Sequence, residues 1–388
     1  MPRRRGISRA GANSTLLILI FLFVLGIYYF VTGRNPGEIL SGATSTAPVP
    51  TAVNASGAWW EVYFTDPVNV KDPVNWQSSI EGRLIEKINA AQTSIHIASF
   101  EFDLTPVAEA LIAAKQRGVD VRWVTDDENG LEADEDPDRG QFAMLQNAGI
   151  EVRSDDRSAL MHNKFWIFDG QTVWTGSTNI TENGIFKQDN NTIVINSPAL
   201  AAIYEREFQE MWNGEFGPTS TSQLDNQAVV INQSGIAVIF TSEDPALEQA
   251  IIPLVGDAKK SIRFLAFSFT DYPLAEAMIK RSQNGVAVAG VFEKVGSETD
   301  AAELDTLFCA KVPVRQDGNS SFMHNKVIVV DERYVITGSL NFSTNAEESN
   351  DENVIIIDNP DIAKLYLQDF ERIWSQATEP DPGEITCE

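Results

Sequence analysis

The amino-acid sequence contains the same series of segments twice. The ten residues MHNKFWIFDG at 161–170 return as MHNKVIVVDE at 323–332. In each half a strand-like run, a helix-to-strand segment and an amphipathic helix that leads into another strand precede this line, at 60–67, 84–103 and 106–127 and again at 236–245, 250–271 and 273–294. Alternating helical and strand patterns are typical of α/β units, so we expect a mixed, largely parallel central sheet flanked by helices in each half.

This duplication predicts two similar lobes that form a pseudo-twofold pair. The 388 residues are enough for two ordinary domains, and the repeat is far longer than that of a solenoid protein. We expect the lobes to cover residues 57–225 and 226–388.

The first 56 residues differ in composition from the rest. Residues 1–14 are basic, and 15–33 are almost wholly apolar and close to the roughly 20 residues that span a bilayer as a helix. The preceding arginines predict a cytoplasmic N-terminus and a single-pass cell-membrane protein whose catalytic body is extracytoplasmic. A cleaved signal peptide, which would make the protein secreted, is the alternative. Residues 34–56 are rich in Pro, Ser, Thr and Ala and predict a flexible linker.

The charge of the chain argues against loose binding of nucleic acid. The net charge is −26, and the first 34 residues carry five arginines and no acid. The remainder therefore holds 29 − 5 = 24 basic residues against 55 acidic ones, a balance of −31. Such a body repels a phosphate backbone at long range.

The two cysteines, Cys309 and Cys387, do not have the spacing of a metal site. Either a disulfide between them or two free thiols agrees with the sequence.

Two of the three histidines occupy equivalent positions in the repeated lines. On a strand, alternation puts His162 and Lys164 on one face, about 6.6–6.8 Å apart, and does the same for His324 and Lys326. Two imidazoles suit a nucleophile and a general acid because their charge changes near neutral pH. The third histidine, His96, is predicted at a strand surface rather than in a catalytic role.

Each line is followed by a second short motif. Ser177 and Asn179 in GSTN, like Ser339 and Asn341 in GSLN, again lie two residues apart. Lysine and amide donors are the groups that stabilise a phosphate oxyanion. We therefore expect one site between the lobes, to which each half contributes a His, a Lys, a Ser and an Asn.

Two aspartates end the repeated lines. Asp169 precedes Gly170, a pair typical of a hairpin turn, and its position has the wrong parity to share a face with His162. A structural role in the turn is favoured over a direct role in chemistry, which stays open.

The doubled pattern H-x-K-x4-D followed by G-S-x-N resembles that of the phospholipase D superfamily, over about residues 59–375. The resemblance implies a bilobal α/β sandwich with its active site at the interface of the lobes. It further implies cleavage of a phosphodiester through a covalent phosphohistidine, with no metal and no other cofactor. The catalytic residues that the resemblance implies are His162, Lys164, Asp169, His324, Lys326 and Asp331, and the phosphate-binding or supporting residues are Ser177, Asn179, Ser339, Asn341 and Glu352.

The two copies differ at one position downstream of the histidine. The second half has Glu352, 28 residues after His324, whereas the first half has Asn190, 28 residues after His162. In some members of the superfamily the acid at this position reaches the histidine of the opposite half. On that pattern Glu352 supports His162, which leads to the hypothesis that His162 is the nucleophile and His324 the general acid and base.

The motif does not indicate which class of phosphodiester is the substrate. Export, a membrane anchor and an acidic body favour hydrolysis of a phospholipid head group, with the phospholipid and the membrane as partners. An endonuclease, which would want a basic groove, is the first alternative, and a cardiolipin synthase-like phosphatidyltransferase and a non-catalytic scaffold are others. Both halves of the site lie in one chain, so no homodimer is required. The acidic segment 126–140 is interpreted as a solvated loop or as a lid over the site.

Overall fold

The computed structural model describes residues 51–220 and 227–387. The predicted basic N-terminus 1–14, the membrane-spanning segment 15–33 and most of the linker 34–56 lie outside these ranges. Within the described part of the chain, no helix is both long and apolar enough to cross a bilayer. The predicted boundary between the lobes, at 225 and 226, also lies outside it.

The first half forms an eight-stranded sheet with the order β1-β2-β9-β7-β6-β3-β4-β5. Strand β8 lies outside this sheet and belongs to a contact with the second half. The strands are β1 Ala55–Ser56, β2 Trp60–Phe64, β3 Ser94–Ser99, β4 Asp120–Thr125, β5 Glu151–Ser154, β6 Lys164–Phe168, β7 Thr172–Gly176, β8 Gln188–Asp189 and β9 Asn191–Asn196.

The second half repeats this topology in a sheet with the order β10-β11-β18-β17-β16-β12-β13-β14. The remaining strand, β15, pairs with β8 of the first half. The strands are β10 Ala228–Ile231, β11 Ser234–Thr241, β12 Ser261–Ala266, β13 Ala287–Phe292, β14 Val314–Gln316, β15 Phe322–Met323, β16 Lys326–Val330, β17 Tyr334–Gly338 and β18 Glu352–Asp358.

Helices connect the strands, and local signals set their ends. The long helix that closes each half begins with a cap and a proline, Ser197-Pro198 and Asn359-Pro360. The α-helices are α1 Ile80–Ala90, α2 Thr105–Gln116, α3 Gln141–Asn147, α4 Pro198–Trp212, α5 Ile252–Gly256, α6 Tyr272–Gln283, α7 Lys294–Ser297, α8 Leu304–Cys309, α9 Thr344–Glu348 and α10 Pro360–Gln376. Short 3₁₀ or π-helical turns lie at Pro73–Ser78, Asp127–Glu132, Ala133–Glu135, Asn183–Lys187, Gly217–Thr219 and Leu247–Ile251.

The mixed α/β architecture with two sheets is confirmed, but the prediction of largely parallel sheets is wrong. In the first sheet only β3–β4 and β4–β5 pair in parallel, and in the second only β12–β13 and β13–β14. Parallel pairing needs a crossover, which α2 and α3 supply after β3 and β4. The repeated line instead folds into the hairpin β6–β7, and its counterpart into β16–β17, so that the rest of each sheet pairs antiparallel.

Both faces of each sheet are covered, which explains why the strands of the repeated lines are wholly apolar after the lysine. In β6, Phe165 and Ile167 face a core that contains side chains of both lobes, whereas Trp166 and Phe168 face the outer core beneath α1 and α2. Helix α4 of the first lobe contributes Tyr204 to this shared core, and α10 of the second lobe contributes Tyr366. The two lobes are therefore packed on each other through hydrocarbon.

The cysteines are joined. Cys309, at the end of α8, forms a disulfide with Cys387; the Cα atoms are 5.6 Å apart and the sequence separation is 78. Of the two alternatives left open by the sequence, the structure contains the disulfide, which fixes the C-terminal segment to the second lobe.

Candidate active site

Each repeated line is paired with the opposite half of the chain. Met161 forms a parallel bridge to Asp351, and β15 pairs in parallel with β8. As a result the backbone N–H of His162 donates to the carbonyl of Asp351 at 2.9 Å, and that of His324 donates to the carbonyl of Asp189 at 2.9 Å. This pairing of each repeated line with the opposite half places both histidines at the junction of the lobes.

The ring of His162 is oriented by Glu352. Its Nδ1 lies 2.7 Å from Oε2 of the carboxylate, and both side chains are buried. An ionised carboxylate only accepts hydrogen bonds, so the network assigns the proton to Nδ1 and leaves the lone pair of the neutral ring on Nε2. The predicted contact between Glu352 and the histidine of the other half is present.

The ring of His324 is oriented by an amide rather than a carboxylate. Its Nδ1 lies 3.0 Å from Oδ1 of Asn190, while Nδ2 of that asparagine donates to the carbonyl of Gly184 at 2.9 Å. The second bond fixes the direction of the amide, so Nδ1 of His324 carries the proton and Nε2 has the lone pair. Both imidazoles therefore present the same nitrogen for chemistry.

The two serines support these orienting groups. The hydroxyl of Ser177 donates to Oδ1 of Asn190 at 2.8 Å, and that of Ser339 accepts from the backbone N–H of Asn353 at 2.9 Å and contacts the Glu352 carboxylate. Both side chains are fully buried. Their placement favours support over direct contact with a phosphate.

The asparagines of the short motifs have free polar atoms at the site. The side-chain oxygens of Asn179 and Asn341 are buried and have no hydrogen-bond partner within the ranges that the structure describes. An amide oxygen only accepts hydrogen bonds, so a phosphate oxygen would be contacted by the amide nitrogens of these two side chains and not by the buried oxygens.

The two lysines lie beneath the histidines in equivalent positions. Lys164 donates from Nζ to the carbonyl of His162 at 2.7 Å, and Lys326 to that of His324 at 2.8 Å. Their ammonium groups lie 4.8 and 4.6 Å from the ring centres of Phe100 and Phe267. The same phenylalanine rings pack edge-on against His162 and His324, so each lobe positions its imidazole and its ammonium with one aromatic side chain.

Burial and charge set the protonation of the site. Burial lowers the pKa of both histidines well below the ordinary 6.5, and the charges of both lysines lower it further. Burial also lowers the pKa of Lys164 to about 8, and that of Lys326 well below its usual range. The pKa of Glu352 rises to about 7 because it is buried, although the lysines oppose this shift. Each lysine therefore acts electrostatically on the histidine of the other lobe as well as on its own.

Asp169 and Asp331 are not part of that site. The carboxylate of Asp169 accepts the backbone N–H groups of Gln92, Thr93 and Ser94 at 2.6–3.1 Å. Both aspartates have positive φ in the turn of their hairpin, and Asp331 accepts the equivalent bonds from 259–261. Five residues of extended strand, about 17 Å, separate Asp169 from Lys164. The interpretation of these two residues as catalytic is corrected to the turn role that the parity argument favoured.

His96 is also outside the site. Its Nδ1 lies 2.8 Å from Glu205 on α4, and its ring stacks on Phe208 with the centres 4.7 Å apart. It is buried against α4 rather than at a strand surface, and it has no catalytic placement.

Sequence reasoning missed a row of buried amides that joins the lobes. Asn353 donates to Asn163 at 2.9 Å, and its symmetric counterpart Asn191 donates to Asn325 at 2.7 Å. Thr175 and Thr337 donate to the oxygens of Asn353 and Asn191 at 2.8 Å. The signal was the asparagine that both MHNK lines contain, but only the structure shows its partner.

The acidic segment lies beside the site. Residues 127–135 form two short helical turns. They line a cavity of about 480 Å³ together with Glu101 and Arg139. Burial lowers the pKa of Lys164, and the charge of Glu101, which lines this cavity, is among those that oppose the shift.

Known proteins resemble this chain in sequence and in fold. A family model described as "Cardiolipin synthase, PLD-like domain" matches residues 84–212 and 251–374. "Mitochondrial cardiolipin hydrolase" of Xenopus laevis is 35% identical over 133 residues, which are 34% of this chain and 63% of that protein. "Phospholipase D" of Rickettsia prowazekii (strain Madrid E) is 30% identical over 165 residues, 42% of this chain and 80% of that protein. The chain thus spans less than two thirds of the length of the Xenopus relative.

A solved structure supports the fold across both lobes. The crystal structure of phosphatidylserine synthase from Haemophilus influenzae Rd KW20 covers 76% of this chain and 84% of its own, with a TM-score of 0.58 at 17% identity. The family match extends over more than half of the chain and includes both histidine lines. This chain therefore belongs to the phospholipase D superfamily of enzymes.

Proposed function

We propose that this protein hydrolyses the head-group phosphodiester of a phospholipid to phosphatidate and a free alcohol. In this proposal His162 is the nucleophile and His324 is the general acid and base. The observation that carries it is the pair of buried imidazoles, whose Nδ1 atoms are held by Glu352 and Asn190, which assigns the reaction at phosphorus to Nε2 of each ring.

The reaction proceeds in two displacements at phosphorus. In the first, Nε2 of His162 forms a bond to phosphorus, the bond from phosphorus to the head-group oxygen breaks, and Nε2–H of protonated His324 gives its proton to the leaving oxygen. In the second, His324 takes a proton from water, the water oxygen bonds to phosphorus, and the bond to His162 breaks. Covalent catalysis thus divides one difficult step into two easier ones.

The charges of the site support this sequence. Lys164, Lys326, Asn179 and Asn341 supply positive charge and amide donors for the non-bridging oxygens, so the proposed chemistry needs no divalent cation. Burial, together with the charges of the two lysines, lowers the pKa of His162 and keeps it neutral in the free enzyme, as a nucleophile must be. A bound phosphodiester anion offsets the lysine charges and raises the pKa of His324 toward the range in which it donates a proton.

The surroundings of the site favour a lipid over a nucleic acid. The cavity beside Lys164 is lined by Glu101, Glu128, Glu132 and Asp136. These carboxylates repel a polyanion and are compatible with a lipid head group that carries a positive charge. An endonuclease is the alternative that this feature disfavours. The substrate and the membrane are accordingly the proposed partners, with the catalytic body on the extracytoplasmic side.

Phosphatidyl transfer is a second candidate function. The family model that matches both lobes is described as a cardiolipin synthase domain. The covalent intermediate is common to both outcomes: an alcohol that replaces water in the second step receives the phosphatidyl group. Access of water to phosphorus decides between hydrolysis and transfer.

Parallel assays test the proposal. The full chain, purified in detergent, is incubated with phosphatidylcholine, phosphatidylethanolamine or cardiolipin vesicles, and separately with single- and double-stranded DNA, with and without EDTA. We expect release of the head-group alcohol in EDTA, lost in His162→Ala and His324→Ala. Phosphatidyl-glycerol formation on adding glycerol selects transfer, DNA cleavage without lipid turnover selects the nuclease, and no turnover of either class contradicts catalysis.

A further inference from the structure

The segments that border the site come from one edge of each sheet. Ala266 at the end of β12 pairs with Lys326 at the start of β16, and Ser99 at the end of β3 pairs with Lys164 in the same way. Strands β13 and β4 run parallel to β12 and β3, so they end at the same edges. The residues that follow these strands therefore surround the histidines.

In the second lobe this edge carries exposed apolar side chains. Tyr272, Val295 and Phe322 are 56%, 62% and 38% exposed. They lie after β12, after β13 and on β15. The other large apolar side chains that are exposed among the described residues are all valines, so both exposed aromatic ones lie here. We call these three residues the apolar rim; exposed apolar side chains grouped beside a polar site mark an interaction surface.

The apolar rim is continuous with the catalytic groups. The ring of Phe322 packs edge-on against that of Phe267, with the centres 5.9 Å apart, and Phe267 in turn lies 4.6 Å from the ring centre of His324. A Cβ placed on Gly296, the neighbour of Val295, would be 2.8 Å from the carbonyl oxygen of Phe267. The rim thus packs on both sides of the aromatic residue that positions His324.

The first lobe has different residues at the equivalent positions. Strands β12 and β13 correspond to β3 and β4 with an offset of 167 residues (261 − 94 = 287 − 120 = 167), and the histidine lines correspond with an offset of 162 (324 − 162 = 162). The counterparts of Tyr272, Val295 and Phe322 are Thr105, Glu128 and Leu160. The first two are polar and exposed, and the leucine is half-buried. The fold itself therefore does not require the apolar rim.

Charge differs between the two edges as well. Lys294 precedes Val295 and is exposed, whereas the equivalent pair in the first lobe is Asp127-Glu128. A lysine beside exposed apolar side chains is typical of a surface at a membrane interface, where the ammonium group meets lipid phosphates and the apolar groups enter the bilayer.

Carboxylates behind the apolar rim limit the kind of bilayer that fits. Tyr272 lines a cavity of about 930 Å³ whose wall also contains acidic side chains. They are Glu298, Asp300, Asp305, Asp381 and Glu384. These charges repel a strongly anionic surface, so most of the attraction must come from the apolar contact. A bilayer of zwitterionic lipid is the surface that matches this combination.

We propose that the apolar rim inserts into the surface of a zwitterionic phospholipid bilayer and brings the entrance of the site to its substrate. The inference rests on the proposed function, because a phospholipase must reach a phosphodiester that lies at a bilayer surface. Tyrosine is well suited to this place, since its ring is apolar and its hydroxyl group stays in contact with water. The second lobe makes the contact with the bilayer.

Photolabelling tests the contact without turnover. The full chain is reconstituted into phosphatidylcholine vesicles that contain a diacylglycerol with a diazirine in its acyl chain; this probe has no phosphodiester and is not a substrate. Mass spectrometry locates the labelled peptides. We expect label around residues 295 and 322 and little around 105 and 128. Replacement of phosphatidylcholine by phosphatidylglycerol should reduce the label, and an increase would contradict the choice of a zwitterionic surface.

Variants of the apolar rim identify its contribution. Val295→Ser combined with Phe322→Ser should lower the labelling of the second lobe by about tenfold. Val230→Ser is the matched control, because it removes an exposed valine on β10 at the opposite end of the sheet, and it should label as the wild type does.

Kinetics on two substrates separates the contact from catalysis. In the Val295→Ser/Phe322→Ser protein we expect turnover of phosphatidylcholine in vesicles to fall by about threefold to tenfold. Cleavage of a soluble nitrophenyl phosphodiester, which needs no bilayer, should be unchanged. An equal loss on both substrates would show that these residues act on the site and not on the bilayer.

The outcomes distinguish the contact from the proposed function. Label at 295 and 322 without turnover of any lipid would support the contact and contradict hydrolysis. Turnover of vesicle lipid with no label at 295 and 322, or with label that the double variant does not reduce, would overturn the contact and leave the proposed function in place. A wild-type dimer that sediments as a monomer in the double variant would assign the apolar rim to a second copy of the chain and also overturn the proposal.

Discussion

Glu352 of the second lobe holds His162 of the first, with Oε2 of the carboxylate 2.7 Å from Nδ1 of the ring. At the symmetric position the amide oxygen of Asn190 lies 3.0 Å from Nδ1 of His324. A carboxylate raises the basicity of an imidazole and stabilises its charged form, whereas an amide only orients the ring. The two histidines of a nearly symmetric site are therefore chemically different.

Glu352→Gln tests the importance of this contact. We expect kcat to fall by roughly 10²–10³-fold with little change in KM, because the ring loses the carboxylate that stabilises developing positive charge, while substrate contacts remain. Steady-state kinetics on phospholipid vesicles measures both parameters. Glu348→Gln, on the exposed side of α9, is the control and should behave as the wild type; equal kcat values for the two variants would contradict the assigned role.

The pH dependence follows from the lowered pKa values. A general acid works only when protonated, and burial with the lysine charges lowers the pKa of His324 below 6.5. Glu352 supports His162 only when it is ionised, and its pKa is about 7. We therefore expect kcat/KM, which reports the free enzyme, to be highest between the lowered pKa of His324 and about pH 7, and to fall as the pH rises further. A further fall is expected near pH 8, where Lys164 loses its proton. A profile that rises between pH 6 and 8 would disagree with this account.

Asn190→Asp should shift the part of the pH profile of kcat/KM that depends on His324. The new carboxylate would lie beside His324, favour its protonated form and shift the fall in kcat/KM to higher pH by about one unit or more. The pH–rate profile of the variant, compared with that of Asn284→Asp at the exposed end of α6, checks the shift. If the fall in kcat/KM stays at the same pH in Asn190→Asp, His324 is not the general acid.

Asp169→Asn separates the turn role from a catalytic one. The variant loses the charge-assisted bonds to the backbone at 92–94, and we expect a loss of about 1–2 kcal/mol in the free energy of unfolding with kcat nearly unchanged. The pKa of this carboxyl is lowered on folding, since the backbone N–H groups outweigh the opposing effect of burial. Its stabilisation is therefore present above the unfolded value near 3.8 and is lost as the pH falls further.

Urea unfolding at pH 7 and pH 3 measures both effects. The difference between wild type and Asp169→Asn should shrink at the lower pH. A variant that is stable but has lost its activity would restore Asp169 to the catalytic set.

Asn353→Ala tests the amide row between the lobes. The change leaves Asn163 and Thr175 without their buried partner, and we expect a loss of about 2–4 kcal/mol in the free energy of unfolding. Asn213→Ala, at the exposed end of α4, is the matched control and should cost far less. Comparable losses in the two variants would show that the row does not hold the lobes together.

The residues of the site could be predicted from the sequence more completely than the direction of the strands in the two sheets. The repeated His and Lys, and the equal spacing of Glu352 and Asn190 from their histidines, led to the cross-lobe contact because the two halves can be compared position by position. Strand direction was not predictable from the alternation of helices and strands. That pattern is the same whether the strand after residue 161 joins the sheet through a crossover or is followed by a hairpin. The hairpin signal at Asp169-Gly170 predicts the turn between β6 and β7, but it does not by itself predict how these strands pair with the rest of the sheet.

Hydrogen-bond partners that are distant in sequence could not be predicted for a different reason. Asn163 could be placed on the face of its strand opposite His162, but its partner Asn353 is 190 residues away.

Trapping the covalent intermediate tests the central claim most directly. A nitrophenyl phosphodiester has a leaving group that needs no proton, so His324→Ala should complete the first displacement and stall before the second. Mass spectrometry of rapidly quenched peptides locates the phosphoryl group. We expect it on His162 in the His324→Ala protein and on no residue in the His162→Ala protein; a phosphoryl group on His324, or none in either variant, would contradict the account.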